Sequence, residues 1–138
     1  MPMDQIAYTA GYKYQTEDTY STVVSIQPAI AIDTYWIRLT PKGRLTIRCG
    51  YAWDGPSGPA IDTPNFMRGS LVHDALYQLI REGHLPADRR EPVDQELQRI
   101  CLEDGMSALR AWWVYQAVRF GGGPAADPAH RRPVLRAP

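Results

Sequence analysis

The order of apolar and polar residues changes character near the middle of the chain. In the first half, apolar residues alternate with polar or small ones, most clearly over residues 45–53, which predicts a strand with one buried face. Its inward-facing positions are Leu45, Ile47, Cys49, Tyr51 and Trp53. Segments 19–26 and 30–40 are rich in β-branched and aromatic residues and predict further strands. The turn chemistry of Pro41-Lys42-Gly43 predicts a hairpin over residues 30–53.

In the second half, apolar residues recur every three or four positions, which is typical of helices with one buried face. A first helix is predicted over residues 66–82, capped by Asn65 and stopped by Gly83. A second is predicted over residues 92–105, and a third follows Ser107. Strands followed by helices, rather than alternating with them, predict an α+β fold: an N-terminal antiparallel sheet with hairpins, then three packed helices.

Chain length and the positions of glycine and proline predict one domain, one long loop and a tail. The 138 residues suit a single hydrophobic core, so residues 1–123 are predicted to form one α+β domain. Residues 124–138 are rich in proline and predict a flexible tail. The segment DGPSGPAIDTPN, residues 54–65, has many turn-forming residues and no periodicity, which predicts a loop long enough to carry function.

Composition and charge argue against several classes of protein. The formal net charge is zero, so nothing in it favours a nucleic-acid partner. No apolar run approaches the ~20 residues of a membrane span, and the N-terminus lacks the pattern of a signal peptide. The chain is therefore expected to be made in the cytoplasm. Cys49 and Cys101 are expected to be small buried residues, and the sequence leaves open whether they form a disulfide.

The segment LVHDALYQL, residues 71–79, places ionisable groups in a helix that otherwise looks buried. Burying such groups is unfavourable unless they are paired or bind a metal. His73 and Tyr77 are one turn apart and share a face, whereas Asp74 is rotated by ~100° from His73. Asp74 can therefore ligate a hard cation such as calcium while His73 deprotonates a water molecule beside it. The metal would polarise a carbonyl group of the substrate.

Two further parts of the chain are expected to complete such a site. Asp94, in the first turn of the second helix, is the best candidate to orient His73, because a short connector makes the two helices antiparallel. Tyr77 can hydrogen-bond the same carboxylate. Backbone carbonyls of the 53–59 loop, those of Trp53, Gly55 and Ser57, are the expected additional calcium ligands. The alternative is a buried polar network that only fixes the packing of the helices.

At these residues the sequence resembles an uncharacterised phage and prophage family, catalogued as domain of unknown function 1353. Its marks are D-G-x-S-x-P, H-D-x-x-Y, an aspartate opening the next helix, and A-V-R-x-x-G. The matching residues are Asp54, Gly55, Ser57, Pro59, His73, Asp74, Tyr77, Asp94, Ala117, Val118, Arg119 and Gly122. The resemblance covers roughly residues 30–123. It implies a tailed-phage or prophage origin and no particular activity.

A second resemblance, over about residues 53–105 only, implies a catalytic role for these residues. H-D-x-x-Y on one helix with an aspartate on the next is similar to the active site of calcium-dependent phospholipase A₂, and the parvovirus capsid form is nearest in style. This resemblance implies that His73 is the general base and Asp74 the calcium ligand. It also implies that Asp94 orients His73 and that Tyr77 braces Asp94. The loop WDGPSGP has fewer glycines than the calcium loop of those enzymes, and the β-rich first half has no counterpart there.

Two functional hypotheses follow. The first is a phage or prophage hydrolase that acts on an ester, specifically a lipid, with calcium as cofactor and membrane lipid as partner. The second is a non-catalytic phage protein, structural in the virion or tail or interacting with the host, whose partners are other particle proteins. Both are made in the host cytoplasm, and both are compatible with incorporation in the virion. Neither involves nucleic acid.

Other chemistries fit the sequence less well. An HD-type phosphohydrolase needs more histidine ligands than His73, His84 and His130, and none precedes His73. A zinc site from His73 and His84 lacks a cysteine pair and has the wrong spacing. A serine nucleophile at Ser57 or Ser70 lacks a nucleophile-elbow pattern. The adjacent Trp112 and Trp113 are expected to face different ways, one in the core and the other partly exposed, as at a lipid interface.

Overall fold

Antiparallel strands form the first half of the chain and helices form the second, which confirms the predicted α+β class. A computed structural model describes residues 5–9, 14–53 and 63–121. Within these residues the strands are β1 (Tyr8–Thr9), β2 (Tyr14–Thr16), β3 (Tyr20–Val23), β4 (Ile32–Asp33), β5 (Ile37–Leu39), β6 (Arg44–Ile47) and β7 (Ala52–Trp53). The helices are α1 (Pro64–Arg81), a short 3-10 helix (Ala87–Arg89), α2 (Arg90–Glu103) and α3 (Ala108–Gly121). The predicted tail and residues 54–62 of the predicted loop lie outside the described residues.

The strands form two antiparallel sheets. The larger sheet has the order β3-β6-β5-β4 and the smaller has the order β1-β2-β7. Between β5 and β6 the turn falls at the predicted position, so this part of the predicted hairpin is confirmed. Gly43 closes the turn with a φ of 87°, and a Cβ added there would overlap the carbonyl oxygen of Val24. The turn therefore requires glycine at this position.

The prediction of one continuous strand over residues 45–53 is wrong. The chain turns between β6 and β7 at Gly50, whose φ is 89°, and β7 then pairs with β2 in the smaller sheet. The buried hydroxyl of Thr16 holds this turn: it donates to the carbonyl oxygen of Arg48 at 3.0 Å and accepts from the N–H of Tyr51 at 3.0 Å. The alternation of apolar residues continues across the turn, which is why the sequence pattern hides it.

Both cysteines are free thiols, so the disulfide that the sequence left open is not formed. Cys49 is exposed, contrary to the prediction, because it lies in the turn between β6 and β7. Its thiol donates to the carbonyl oxygen of Glu17 at 2.9 Å. Cys101 is buried as predicted, and burial raises the pKa of its thiol to about 12.

The main core lies between the strands and α1. Residues without exposed surface come from both sides: Ile37, Leu39, Leu45 and Ile47 from the larger sheet, and Leu71, Val72, Leu76 and Leu79 from α1. A second apolar cluster joins the three helices through Phe66, Leu97, Cys101, Met106, Ala111 and Val114. Because α1 is covered on both sides, any polar side chain that it carries inside must find a partner within the protein.

The ends of α1 differ slightly from the prediction. The helix begins at Pro64 after Thr63, so Asn65 lies inside the first turn and is not the cap. Proline is favoured at the first helical position because its missing N–H would have no partner there, which explains the earlier start. The helix ends at Arg81, and Gly83 follows with a φ of 82°, so the predicted stop is confirmed.

Helices α1 and α2 run antiparallel, as the short connector predicts. Arg68, near the start of α1, bonds Asp104 just beyond the end of α2, whereas His73, further along α1, bonds Asp94 near the start of α2. Between these contacts the helices approach closely at Gly69, where an added Cβ would lie 3.0 Å from Leu97 Cδ1. This register places Asp94 opposite His73.

Helix α3 contacts α2 through a narrow face. Ala111 and Val114 are buried in the helical cluster, while Trp112 and Trp113 are both exposed. The prediction that one tryptophan belongs to the core is therefore wrong, because the small residues on either side of the pair occupy the contact. In the described part of the chain, no helix has the length and apolar character needed to cross a membrane.

Candidate functional site

His73 and Asp94 form a buried pair between α1 and α2. Nε2 of His73 lies 2.7 Å from Oδ1 of Asp94. Asp94 has no exposed surface and His73 is only 6 % exposed. A carboxylate can only accept, so Nε2 carries the proton and donates a hydrogen bond to Asp94, and in neutral His73 the other nitrogen, Nδ1, is the basic one. The predicted contact between these residues is therefore confirmed, while its catalytic role stays a prediction.

Tyr77 braces the same carboxylate. Its hydroxyl donates to Oδ1 of Asp94 at 2.5 Å, and its ring lies against the imidazole of His73 with centroids 4.1 Å apart. Both side chains stand on one face of α1 because they are one helical turn apart. The sequence thus predicted the contact of Tyr77 with Asp94, and the structure confirms it.

Two arginines complete the cluster, and the sequence alone assigned a role to neither. Arg119 of α3 donates from Nη1 to Oδ2 of Asp94 at 2.9 Å. Arg90 donates from Nε to the hydroxyl of Tyr77 at 3.2 Å and from Nη2 to the carbonyl oxygens of Val118 and Arg119. The A-V-R-x-x-G motif was the available signal for Arg119. The cluster therefore ties all three helices together.

Asp74 lies on the other side of the imidazole ring. Its Oδ1 is 3.8 Å from Nδ1 of His73, which is longer than a direct hydrogen bond, and its side chain is 34 % exposed. The imidazole is thus flanked by two carboxylates: Asp94 is buried and Asp74 is accessible to solvent. A water molecule between Asp74 and Nδ1 could bond both groups.

The other predicted calcium ligands are only partly described. Trp53 donates from its indole nitrogen to Oγ of Ser70 at 3.0 Å, and Ser70 lies one turn before Asp74 on α1. The indole ring of Trp53 therefore reaches α1 on the face that carries Asp74. Gly55 and Ser57 lie outside the described residues. Within residues 5–9, 14–53 and 63–121 there is no group of three or more acidic, histidine or cysteine side chains that could hold a metal ion.

Burial and hydrogen bonding act in opposite directions on this cluster. Burial lowers the pKa of His73, but the hydrogen bonds and charges of Asp74 and Asp94 outweigh it, and the pKa is raised overall. Burial raises the pKa of Asp94, but the hydrogen bonds from His73 and Tyr77 outweigh it, and the pKa is lowered. Burial and Asp94 together raise the pKa of Tyr77, which stays a donor. His73 can act as a base only in its neutral form, and that form predominates only at a pH above its raised pKa.

These pKa shifts predict how the contribution of His73 and Asp94 to the stability of the protein depends on pH. Because its pKa is raised, His73 stabilises the folded protein. This contribution to the free energy of unfolding is complete below about pH 6.5 and is lost as pH rises through the folded-state pKa. Because its pKa is lowered, Asp94 also stabilises the folded protein. Its contribution to the free energy of unfolding is complete above about pH 4 and is lost as pH falls through the folded-state pKa. The difference in unfolding free energy between wild type and His73→Gln should therefore be largest between these values.

Urea unfolding at a series of pH values measures this difference. His84→Gln, which removes an exposed imidazole, is the matched control. A difference between wild type and His73→Gln that grows above pH 6.5 would contradict the assigned direction of the His73 pKa shift.

We compared the chain with protein-family models, with curated proteins and with solved structures. None of the three comparisons finds a match. The two resemblances drawn from the motifs therefore stay predictions. The geometry of His73, Asp74, Tyr77 and Asp94 is therefore the basis for a proposal of function.

Proposed function

We propose that this chain is a phage or prophage hydrolase that cleaves an ester bond of a lipid, with His73 as general base and calcium bound at Asp74. One observation carries the proposal. The buried Asp94 holds Nε2 of His73 at 2.7 Å, and Nδ1 is left beside the partly exposed carboxylate of Asp74. A base that is oriented through one nitrogen and can take a proton on the other is the arrangement that general-base catalysis by histidine needs.

The chemistry follows from the two nitrogens of His73. Nδ1 takes a proton from a water molecule while the water oxygen bonds to the carbonyl carbon of the ester. The imidazolium that forms is stabilised by Asp94, which Tyr77 and Arg119 hold in place. When the intermediate collapses, the ester C–O bond breaks and the proton on Nδ1 passes to the leaving alcohol. The products are a carboxylic acid and an alcohol, and His73 is neutral again.

Calcium is the cation that the donor set favours. The carboxylate of Asp74 is a hard oxygen donor and is partly exposed, and the carbonyl oxygens of Trp53, Gly55 and Ser57 would supply further hard donors. The hydrogen bond from Trp53 to Ser70 supports this set, because the side chain of Trp53, the first residue of the 53–59 segment, reaches the face of α1 that carries Asp74. A cation held there would polarise the ester carbonyl and stabilise the negative charge that develops on its oxygen.

Calcium titration of the full chain tests the metal site. A ligand that binds only the folded state stabilises it by mass action, by about 2.7 kcal/mol at about 100 times the Kd. Calcium should therefore raise the melting temperature of the wild type and should leave Asp74→Asn unchanged. Asp88→Asn, which removes an exposed carboxylate elsewhere, should still respond. The metal site is refuted if calcium shifts wild type and Asp74→Asn equally.

A second function is favoured by the completeness of the polar cluster. Asp94 accepts hydrogen bonds from His73, Tyr77 and Arg119, which belong to α1 and α3, and in the described part of the chain every buried side-chain nitrogen and oxygen has a partner. Such a network suits a non-catalytic virion, tail or host-interaction protein in which the cluster fixes helix packing. Full phospholipid turnover by His73→Gln, or its absence in the wild type with calcium present, would favour this function.

A further inference from the structure

The side chain of Arg90, the first residue of α2, contacts both neighbouring helices. Its Nε donates to the hydroxyl of Tyr77 on α1 at 3.2 Å. Its Nη2 donates to two carbonyl oxygens at the end of α3, that of Val118 at 3.0 Å and that of Arg119 at 2.6 Å. Tyr77 and Arg119 are also the residues that donate to the two oxygens of Asp94. A single guanidinium is therefore bonded to both.

On the side of α1, Arg90 fixes the direction of the Tyr77 hydroxyl. A guanidinium can only donate, so the tyrosine oxygen accepts from Arg90 while its own proton is directed to Oδ1 of Asp94. A hydroxyl that accepts one hydrogen bond is a stronger donor in the next, because the two bonds polarise each other. The same Oδ1 accepts from Nε2 of His73. Arg90 thus supports the oxygen that orients the imidazole.

On the side of α3, Arg90 caps the C-terminus of the helix. The last four carbonyl groups of a helix have no N–H partner within it, and this end carries partial negative charge. Val118 and Arg119 are among the last four residues of α3, so a cationic side chain that donates to their carbonyl oxygens stabilises this end. The bond also holds the backbone of Arg119, whose side chain donates to Oδ2 of Asp94 at 2.9 Å.

We propose that Arg90 is a positioning residue of the candidate active site. It holds Oδ1 of Asp94 through Tyr77 and Oδ2 through Arg119. The carboxylate of Asp94, fixed at both oxygens, keeps the imidazole of His73 in the orientation that general-base catalysis needs. The effect of Arg90 on turnover rests on the proposed function, whereas its effect on the hydrogen bond between His73 and Asp94 does not.

Turnover measures the effect on the reaction. Arg90→Gln should lower kcat for phospholipid hydrolysis by about 10–100-fold with KM little changed, because in this proposal Arg90 acts on the base and not on the substrate. Arg90→Lys should recover only part of the loss, because one ammonium group cannot replace the fork formed by Nε and Nη2. Arg99→Gln, which removes a guanidinium bonded to Glu96 and Glu103 of the same helix, is the matched control and should keep wild-type turnover.

A second measurement does not depend on turnover. In protein isotope-labelled at its histidines, the Nε2 proton of His73 should give a downfield NMR signal that exchanges slowly with solvent, because it is buried and bonded to Asp94. At constant pH, Arg90→Gln should move this signal upfield and speed its exchange, whereas Arg99→Gln should leave it unchanged. If this change occurs in a protein whose wild type shows no turnover, the proposed function fails and the positioning role stands.

Combined variants test the route through Tyr77 and Arg119. In a protein with Tyr77→Phe and Arg119→Gln, the further change Arg90→Gln should alter the His73 signal little, because its effect on Asp94 has already been removed. A full additional effect in this background would overturn the proposed route. A wild-type His73 signal or a wild-type kcat in folded Arg90→Gln would overturn the proposal itself. If Arg90→Gln does not fold, Arg90→Lys gives both measurements with smaller changes.

Discussion

Replacing Asp94 with alanine is expected to lower the free energy of unfolding by about 3–5 kcal/mol. Asp94 has no exposed surface and accepts from His73, Tyr77 and Arg119. Alanine would leave the buried imidazole and the tyrosine hydroxyl without an acceptor, and water cannot reach them easily. The loss is large because the partners stay buried after the carboxylate is removed.

Chemical unfolding monitored by circular dichroism measures this loss. Asp88→Ala, which removes an exposed carboxylate from the short 3-10 helix, is the matched control and should change the stability little. If Asp94→Ala does not fold, Asp94→Asn gives the measurement, because asparagine keeps the size and one acceptor oxygen and should lose less. Equal unfolding free energies for Asp94→Ala and Asp88→Ala would show that the cluster contributes nothing to stability.

Replacing His73 with glutamine is expected to lower kcat for phospholipid hydrolysis by about 10²–10⁴-fold. Glutamine has a similar length and an amide N–H that can still donate to Asp94, but it has no nitrogen able to take a proton from water. The loss should therefore appear in kcat, with KM little changed, because in the proposed mechanism the imidazole transfers a proton and does not hold the substrate.

A phospholipid turnover assay with calcium present makes this measurement. His84→Gln, at an exposed histidine after α1, should keep wild-type turnover. Vesicle binding by His73→Gln separates a chemical defect from a failure to reach the substrate. Unchanged kcat in a folded His73→Gln protein would remove His73 from the mechanism and leave the structural function of the cluster.

The pairing of His73 with Asp94 was predictable because it depends on local rules. Helical spacing puts His73 and Tyr77 on one face, and a short connector forces the next helix to return antiparallel with Asp94 near its start. Each step uses residues close together in the sequence. The contacts of His73 and Tyr77 with Asp94 therefore follow from the sequence, whereas their role in catalysis does not.

The contribution of Arg119 was not predictable in the same way. It comes from α3, and α3 is apolar on both its inner and outer faces, so its pattern does not indicate which side contacts α2. The same ambiguity explains the wrong assignment of one tryptophan to the core. The turn at Gly50 was missed for a different reason, because the alternation of apolar residues continues through it.

Gly69 lies outside the polar cluster but influences the distance between the axes of α1 and α2 at the candidate site. A Cβ at this position would lie 3.0 Å from Leu97 Cδ1 and 3.1 Å from Cys101 Sγ, so even alanine would require these two side chains to shift by a few tenths of an ångström. His73 lies one turn further along α1, and its 2.7 Å contact with Asp94 crosses the same gap. A residue larger than alanine at position 69 should therefore weaken the contact between His73 and Asp94 although it would not touch the imidazole. The smallest side chain in α1 is thus also a geometric determinant of the site.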